Sequence, residues 1–113
     1  MGRADRERND LPGGVLDLLI LKVLSRGKLH GYGIAEHVER RSGDVFSIGE
    51  GTLYPTLQRL LVKGWVVAEW GVSENNRRAR YYHLTPAGRK QLEKELAQYR
   101  RVAYAISRVL EPT

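Results

Sequence analysis

No cysteine occurs in the 113 residues, which removes disulfides, thiolate metal ligands and cysteine nucleophiles and fits a reducing compartment. No long apolar run is present either. The longest, VLDLLILKVL (15–24), is broken by Asp17 and Lys22 and falls far short of the ~20 residues a membrane span needs. It reads as a buried helix, and no membrane partner is expected. The start, MGRADRERND, is charged rather than apolar, so it is no secretory signal; a flexible arm over 1–10 and a cytoplasmic protein are expected. Internal repeats and low-complexity tracts are missing. So are G-x-S-x-G, the P-loop, H-E-x-x-H and any close carboxylate pair in a plausible cleft, which argues against an enzyme. His30, His37 and His83 lack a short ligand spacing, so no metal and no other cofactor is expected.

What is present is positive charge. Nineteen Lys+Arg against thirteen Asp+Glu leave +6, which favours a polyanionic partner such as nucleic acid. The length supports one compact domain and is too short for two independent cores. A first helix is expected at about 14–26, ended by Gly27, and it is apolar around most of its circumference. HGYGIAEHVERRSG (30–43) reads as a second helix, with Ile34, Ala35 and Val38 on one face and Gly43 as its stop. Two short strands are expected at 65–72 and 80–85, joined through SENNRRA, whose Asn75-Asn76 pair tolerates positive φ. From Thr85 as N-cap and Pro86 at the first helical position, one long helix runs to 110.

Between these lies EGTLYPTLQRLLVKGW (50–65), whose Leu53, Leu57, Leu60 and Leu61 recur with helical spacing and which Gly64 should end. Pro55 sits among them, and a proline inside a helix removes a hydrogen bond and crowds the preceding turn. Either the helix starts close to Gly51, with Pro55 in its first turn, or it starts near Gly49 with a local distortion. Both readings make its amino end special, because free N–H groups and the helix dipole favour phosphate there.

Helix, helix, helix, hairpin, helix is the order of a winged helix-turn-helix with an appended long helix: mainly α with a small β-hairpin. In that frame the third helix enters the major groove. Its outward face carries Gly51, Thr52, Pro55, Gln58, Arg59 and Val62, with Tyr54 on the flank. Gln58 can read adenine bidentately, Thr52 and Tyr54 can bond phosphate, and Arg59 can reach phosphate or guanine; an ordinary solvated face has the same pattern. Arg77, Arg78 and Arg80 crowd beside the turn, as suits phosphate neutralisation or a narrow minor groove. Tyr32 has two readings, a phosphate contact or burial beside the first helix. Trp65 and Trp70 are expected to pack the wing and core rather than line a ligand site.

In the last helix Leu92, Leu96, Tyr99, Ala103, Ile106 and Leu110 form a heptad seam, widened by Val102 and Val109. A helix of about 26 residues spans ~39 Å, more than a core of this size needs. Part of it is expected to pack on a second subunit, together with Leu16 and Ile20 of the first helix; the alternative folds it back entirely on its own first helix. Two-fold pairing would set two third helices roughly 34–36 Å apart, matching palindromic half-sites.

The stretches LHGYGIAEHVE, GEGTLYPTLQRLLVKGWV and RRARYYHLTPAGRKQL stand in the order and spacing of the PadR family of bacterial transcriptional regulators, which the chain resembles over most of residues 11–95. The resemblance implies a winged-helix homodimer, built through the carboxy-terminal and first helices, that binds double-stranded DNA and usually represses promoters. It carries recognition roles onto Thr52, Tyr54 and Gln58, gives the basic wing to Arg77, Arg78 and Arg80, and favours the earlier start for the Pro55 helix. It also implies release by a small aromatic or drug-like effector at the dimer interface. With a single helix after the wing the chain is similar to the short subfamily, whose multidrug sensors stack ligands on a tryptophan of that helix. None stands there in this chain, and Tyr99 and Tyr104 are its aromatic candidates. The expected division is an arm (1–10), a winged-helix DNA-binding domain (11–85) and a dimerisation helix (86–113). A winged helix used only for protein contact is the alternative, and it would lack salt-sensitive affinity for DNA.

Overall fold

The computed structural model describes residues 14–112; the arm expected over 1–10 and the LPG of LPGG lie outside the described residues. Helix α1 (Val15–Leu24) follows Gly14 and is shorter than expected. The N–H groups of Ser25, Arg26 and Gly27 bond the carbonyls three residues back, so the chain tightens out of the α-helix before Gly27. Leu16, Leu18, Ile20, Leu21 and Leu24 are all buried, which makes α1 the central rod of the core.

Strand β1 (Leu29–His30) pairs antiparallel with Tyr82 and Tyr81, adding a third strand to the hairpin foreseen from sequence. Two residues are too few to show a period. His30 then caps α2 (Gly31–Arg41), its Nδ1 accepting the Gly33 N–H at 3.0 Å. Helix α3 (Glu50–Val62) takes the earlier start, with Gly49 as N-cap and Pro55 inside the helix beyond its first turn. The missing Pro55 N–H would have served the Gly51 carbonyl. Both residues lie on the exposed side, so the Gly51 carbonyl is left open to solvent rather than buried without a partner.

Strands β2 (Val66–Val72) and β3 (Arg78–Leu84) pair from Val66↔Leu84 at the root to Val72↔Arg78 at the tip, giving the sheet order β1-β3-β2. The connecting turn closes with Asn76 N–H on the Ser73 carbonyl at 2.8 Å, and Asn76 takes φ 60° as expected of that pair.

The root of α4 (Pro86–Leu110) is stitched to the preceding elements. Thr85 Oγ1 accepts the Gly88 N–H at 2.9 Å and donates to the Gly64 carbonyl at 2.7 Å, while the Thr85 N–H donates to the Trp65 carbonyl at 3.1 Å. Gly88 lies so close to this junction that a Cβ there would stand 2.0 Å from the Trp65 carbonyl oxygen, which leaves room for hydrogen alone. Leu92 is buried and Leu96 half-buried against the core; Tyr99 and Val102 still border α1, and the last turns beyond them project from the fold. A radius of gyration of 15.7 Å, against about 13 Å for a compact chain of this size, reflects that projection.

Candidate nucleic-acid interface

Leu53, Leu57 and Leu60 anchor α3 in the core, and Thr56 is buried with its hydroxyl donating to the Thr52 carbonyl at 2.8 Å. That leaves Gly51, Thr52, Tyr54, Pro55, Gln58, Arg59 and Val62 exposed, the face read from the sequence. Tyr54 is fixed from behind: a Cβ on Gly31 would stand 2.6 Å from its Oη, so the ring rests directly on the first turn of α2. This partial burial pushes the Tyr54 hydroxyl above the usual tyrosine range, with the nearby Tyr82 and Glu50 adding to it.

Arg59 has a partner. Its guanidinium pairs with Asp17, the acidic residue in the first turn of α1, whose side chain is only 15% exposed. The sequence offered Arg59 for phosphate or guanine; its side chain, 47% exposed, also ties the last turn of α3 to α1. An ion pair across 42 residues leaves no local trace in a sequence.

Arg77, Arg78 and Arg80 all stand exposed on the wing. Together with Tyr54, Tyr82, Tyr32, His30 and Glu36 they line an open groove of about 380 Å³ between the wing and the starts of α2 and α3. Tyr32 is 70% exposed at this groove and is not buried beside α1. The two tryptophans part company: Trp65 is half-buried against the core with the Lys63 ammonium 4.8 Å from its ring centre, whereas Trp70 is 59% exposed. Packing explains Trp65 and does not explain Trp70. The alternation along β2 and β3, which pairs Trp70 with Arg80 and Val72 with Arg78, was the available signal for that exposed face.

On the far side of the molecule, the residues assigned to a second subunit fall into two sets. Leu16, Ile20 and Leu92 are buried in the chain's own core, with Leu96 half-buried against it. Tyr99, Ile106 and Leu110 are 53%, 53% and 75% exposed, with Ala103 half-buried among them. Tyr99 also lines a shallow groove of about 470 Å³ with Val15, Asp17, Leu18, Gln98 and Val102, while Tyr104 points elsewhere, its ring 5.8 Å from the Arg108 guanidinium. Among the described residues no helix is long and apolar enough to cross a membrane, and no cluster of His, Asp and Glu could hold a metal ion.

Three helices, the third with an open amino-terminal face, followed by an arginine-bearing β-hairpin and a long terminal helix, define a winged-helix protein. The profile described as the Transcriptional regulator PadR-like family matches residues 20–94, and the chain belongs to that family. It is 30% identical over 104 residues to an uncharacterized protein X of Lysinibacillus sphaericus, covering 92% of this chain and 95% of that one. The crystal structure of a PadR family transcription regulator from Clostridium difficile superposes with a TM-score of 0.76 at 30% identity, over 87% of this chain and all (100%) of the other. Bacillus subtilis PadR in complex with operator DNA gives a TM-score of 0.67 at 26% identity, covering 86% of this chain and 60% of that one.

Proposed function

We propose that this chain is a sequence-specific DNA-binding transcriptional regulator that acts in the cytoplasm, as a homodimer, on a palindromic operator, and that it represses. The observation that carries this reading is the shared groove: Tyr54 of α3 and Arg77, Arg78 and Arg80 of the wing face one space, beside the exposed Thr52 and Gln58. In this arrangement Gln58 reads a base edge, Thr52 and Tyr54 bond phosphate near the amino end of α3, and Tyr32 adds a contact from α2. The wing arginines neutralise the backbone. Arg59 holds α3 against α1 and leaves base reading to the residues before it. The winged-helix part (11–85) thus meets DNA, and the segment 86–113 joins two protomers through the uncovered apolar end of α4. A small aromatic effector fits the α1–α4 groove at Tyr99, and release follows if it favours a dimer with a different spacing of the two α3 helices. No catalytic step or cofactor enters this scheme.

The test is a salt titration of binding. Replacing Arg77 and Arg78 with alanine is expected to weaken binding on every sequence and flatten the salt slope by up to ~0.9 per lost phosphate contact, whereas Gln58→Ala is expected to relax preference at one base position at about 1–3 kcal/mol. An unaltered slope removes the wing from the contact surface. A wild-type chain that ignores duplex DNA in dilute buffer removes the reading altogether.

A further inference from the structure

Trp70 has no core to fill, and its surroundings give it another task. Cross-strand partners point to the same side of a sheet, so Val66, Ala68, Trp70 and Val72 of β2 share a face with Leu84, Tyr82, Arg80 and Arg78 of β3. At the root that face is core: Val66, Leu84 and Tyr82 are buried. Toward the tip it emerges into solvent, and there the indole is met by arginine. The Arg78 guanidinium carbon lies 4.3 Å from the Trp70 ring centre, and Arg80 sits directly across the strand from it. Arg78 and Arg80 are wing residues of the groove that also holds Tyr54.

We propose that Trp70 is a positioning residue for Arg78, and that the stacked pair meets the DNA backbone as one unit. A guanidinium is planar and carries its five N–H donors in the plane, so stacking one face on an indole leaves the donor edge free for phosphate oxygens. The stack also restricts a long side chain that would otherwise lose its rotamer freedom only on binding. Arg77, at the end of the turn, has no such support among the described residues, so the two neighbouring arginines are unequal. This inference rests on the DNA-binding reading above and adds a residue to it.

The test uses the full chain and a mixed-sequence DNA duplex at low salt, with wild type, Trp70→Ala, Trp70→Phe, Arg78→Ala and the Trp70→Ala/Arg78→Ala double variant. Trp70→Ala is expected to lower affinity about two- to fivefold, the range of an exposed cation–π contact, with Trp70→Phe recovering part of the loss and thermal unfolding unchanged in both. Once Arg78 is absent, losing Trp70 should cost little more, so the double variant should bind as Arg78→Ala does. In a Trp65→Phe background the remaining indole fluorescence should change on saturation with DNA. Multiplying losses in the double variant, full affinity in Trp70→Ala, or an indole indifferent to DNA overturns the inference while leaving the DNA-binding reading intact. Failure of the wild type to bind overturns both.

Discussion

The two ends of α4 belong to one unbroken helix and are specified in opposite ways. Its first turns are locked by the Thr85 cap, by the contact of Gly88 with the Trp65 backbone and by the burial of Leu92. Its last turns carry Ile106, Val109 and Leu110 at 53%, 83% and 75% exposure, apolar residues left open by the described residues. The root is fixed by steric fit inside one protomer. The tail has an apolar surface that the rest of the described fold leaves uncovered, which is the surface the proposed dimer would use.

The largest effect that separates the two ends is expected at the root. Leu92→Ala removes a buried side chain from a junction that cannot collapse easily, and should cost about 2–5 kcal/mol in denaturant unfolding. The comparison breaks if that loss is no greater than for an exposed position. At the tail, a paired Ile106→Ser and Leu110→Ser change should leave the protomer's fold nearly untouched, shift sedimentation toward the monomer, and abolish any rise of Tm with concentration. Weakened folding at infinite dilution would mean that the tail packs at home after all. The smallest effect concerns Lys28 and Glu69, which meet at 2.8 Å on the surface near Arg89 at the α4 root. The hydrogen bond and charge of Lys28 hold the Glu69 carboxyl below its ordinary range, and Glu69 raises Lys28 in the same way. The carboxyl's contribution is therefore present above its unfolded pKa and lost as pH falls through the folded value; the ammonium's is present below its unfolded pKa and lost as pH rises through its own. Glu69→Gln should cost a little stability at neutral pH, where both contributions are present, and progressively less toward the acid and alkaline margins, so that the stability–pH profile becomes slightly flatter.

Much of this was legible in the sequence where a local rule decides. Thr85-Pro86 marked the start of α4, Asn76 the turn, Gly64 the end of α3, and leucine spacing set which side of α3 faces in. The rest depended on partners distant along the chain. β1 exists only because Tyr81 and Tyr82 are there to pair with it. The surplus apolar faces of α1 suggest a second subunit when read alone, yet Leu16 and Ile20 are already buried in a fold where α1 packs against α2, α3, β3 and α4. The tie of Arg59 to Asp17 leaves no local trace because the two stand 42 residues apart; of the tryptophans expected to pack the wing and core, Trp65 packs on the core and Trp70 stays exposed on the wing with Arg78 over its ring.

Tyr54 lies over Gly31 with no space between ring and backbone. A side chain wedged so tightly is poor material for retuning: swapping it would loosen the joint between two helices before it altered any contact beyond them. If the chain reads DNA as proposed, a change of target preference that keeps this joint would come through exposed neighbours such as Thr52 and Gln58, with the tyrosine left as a fixed pivot.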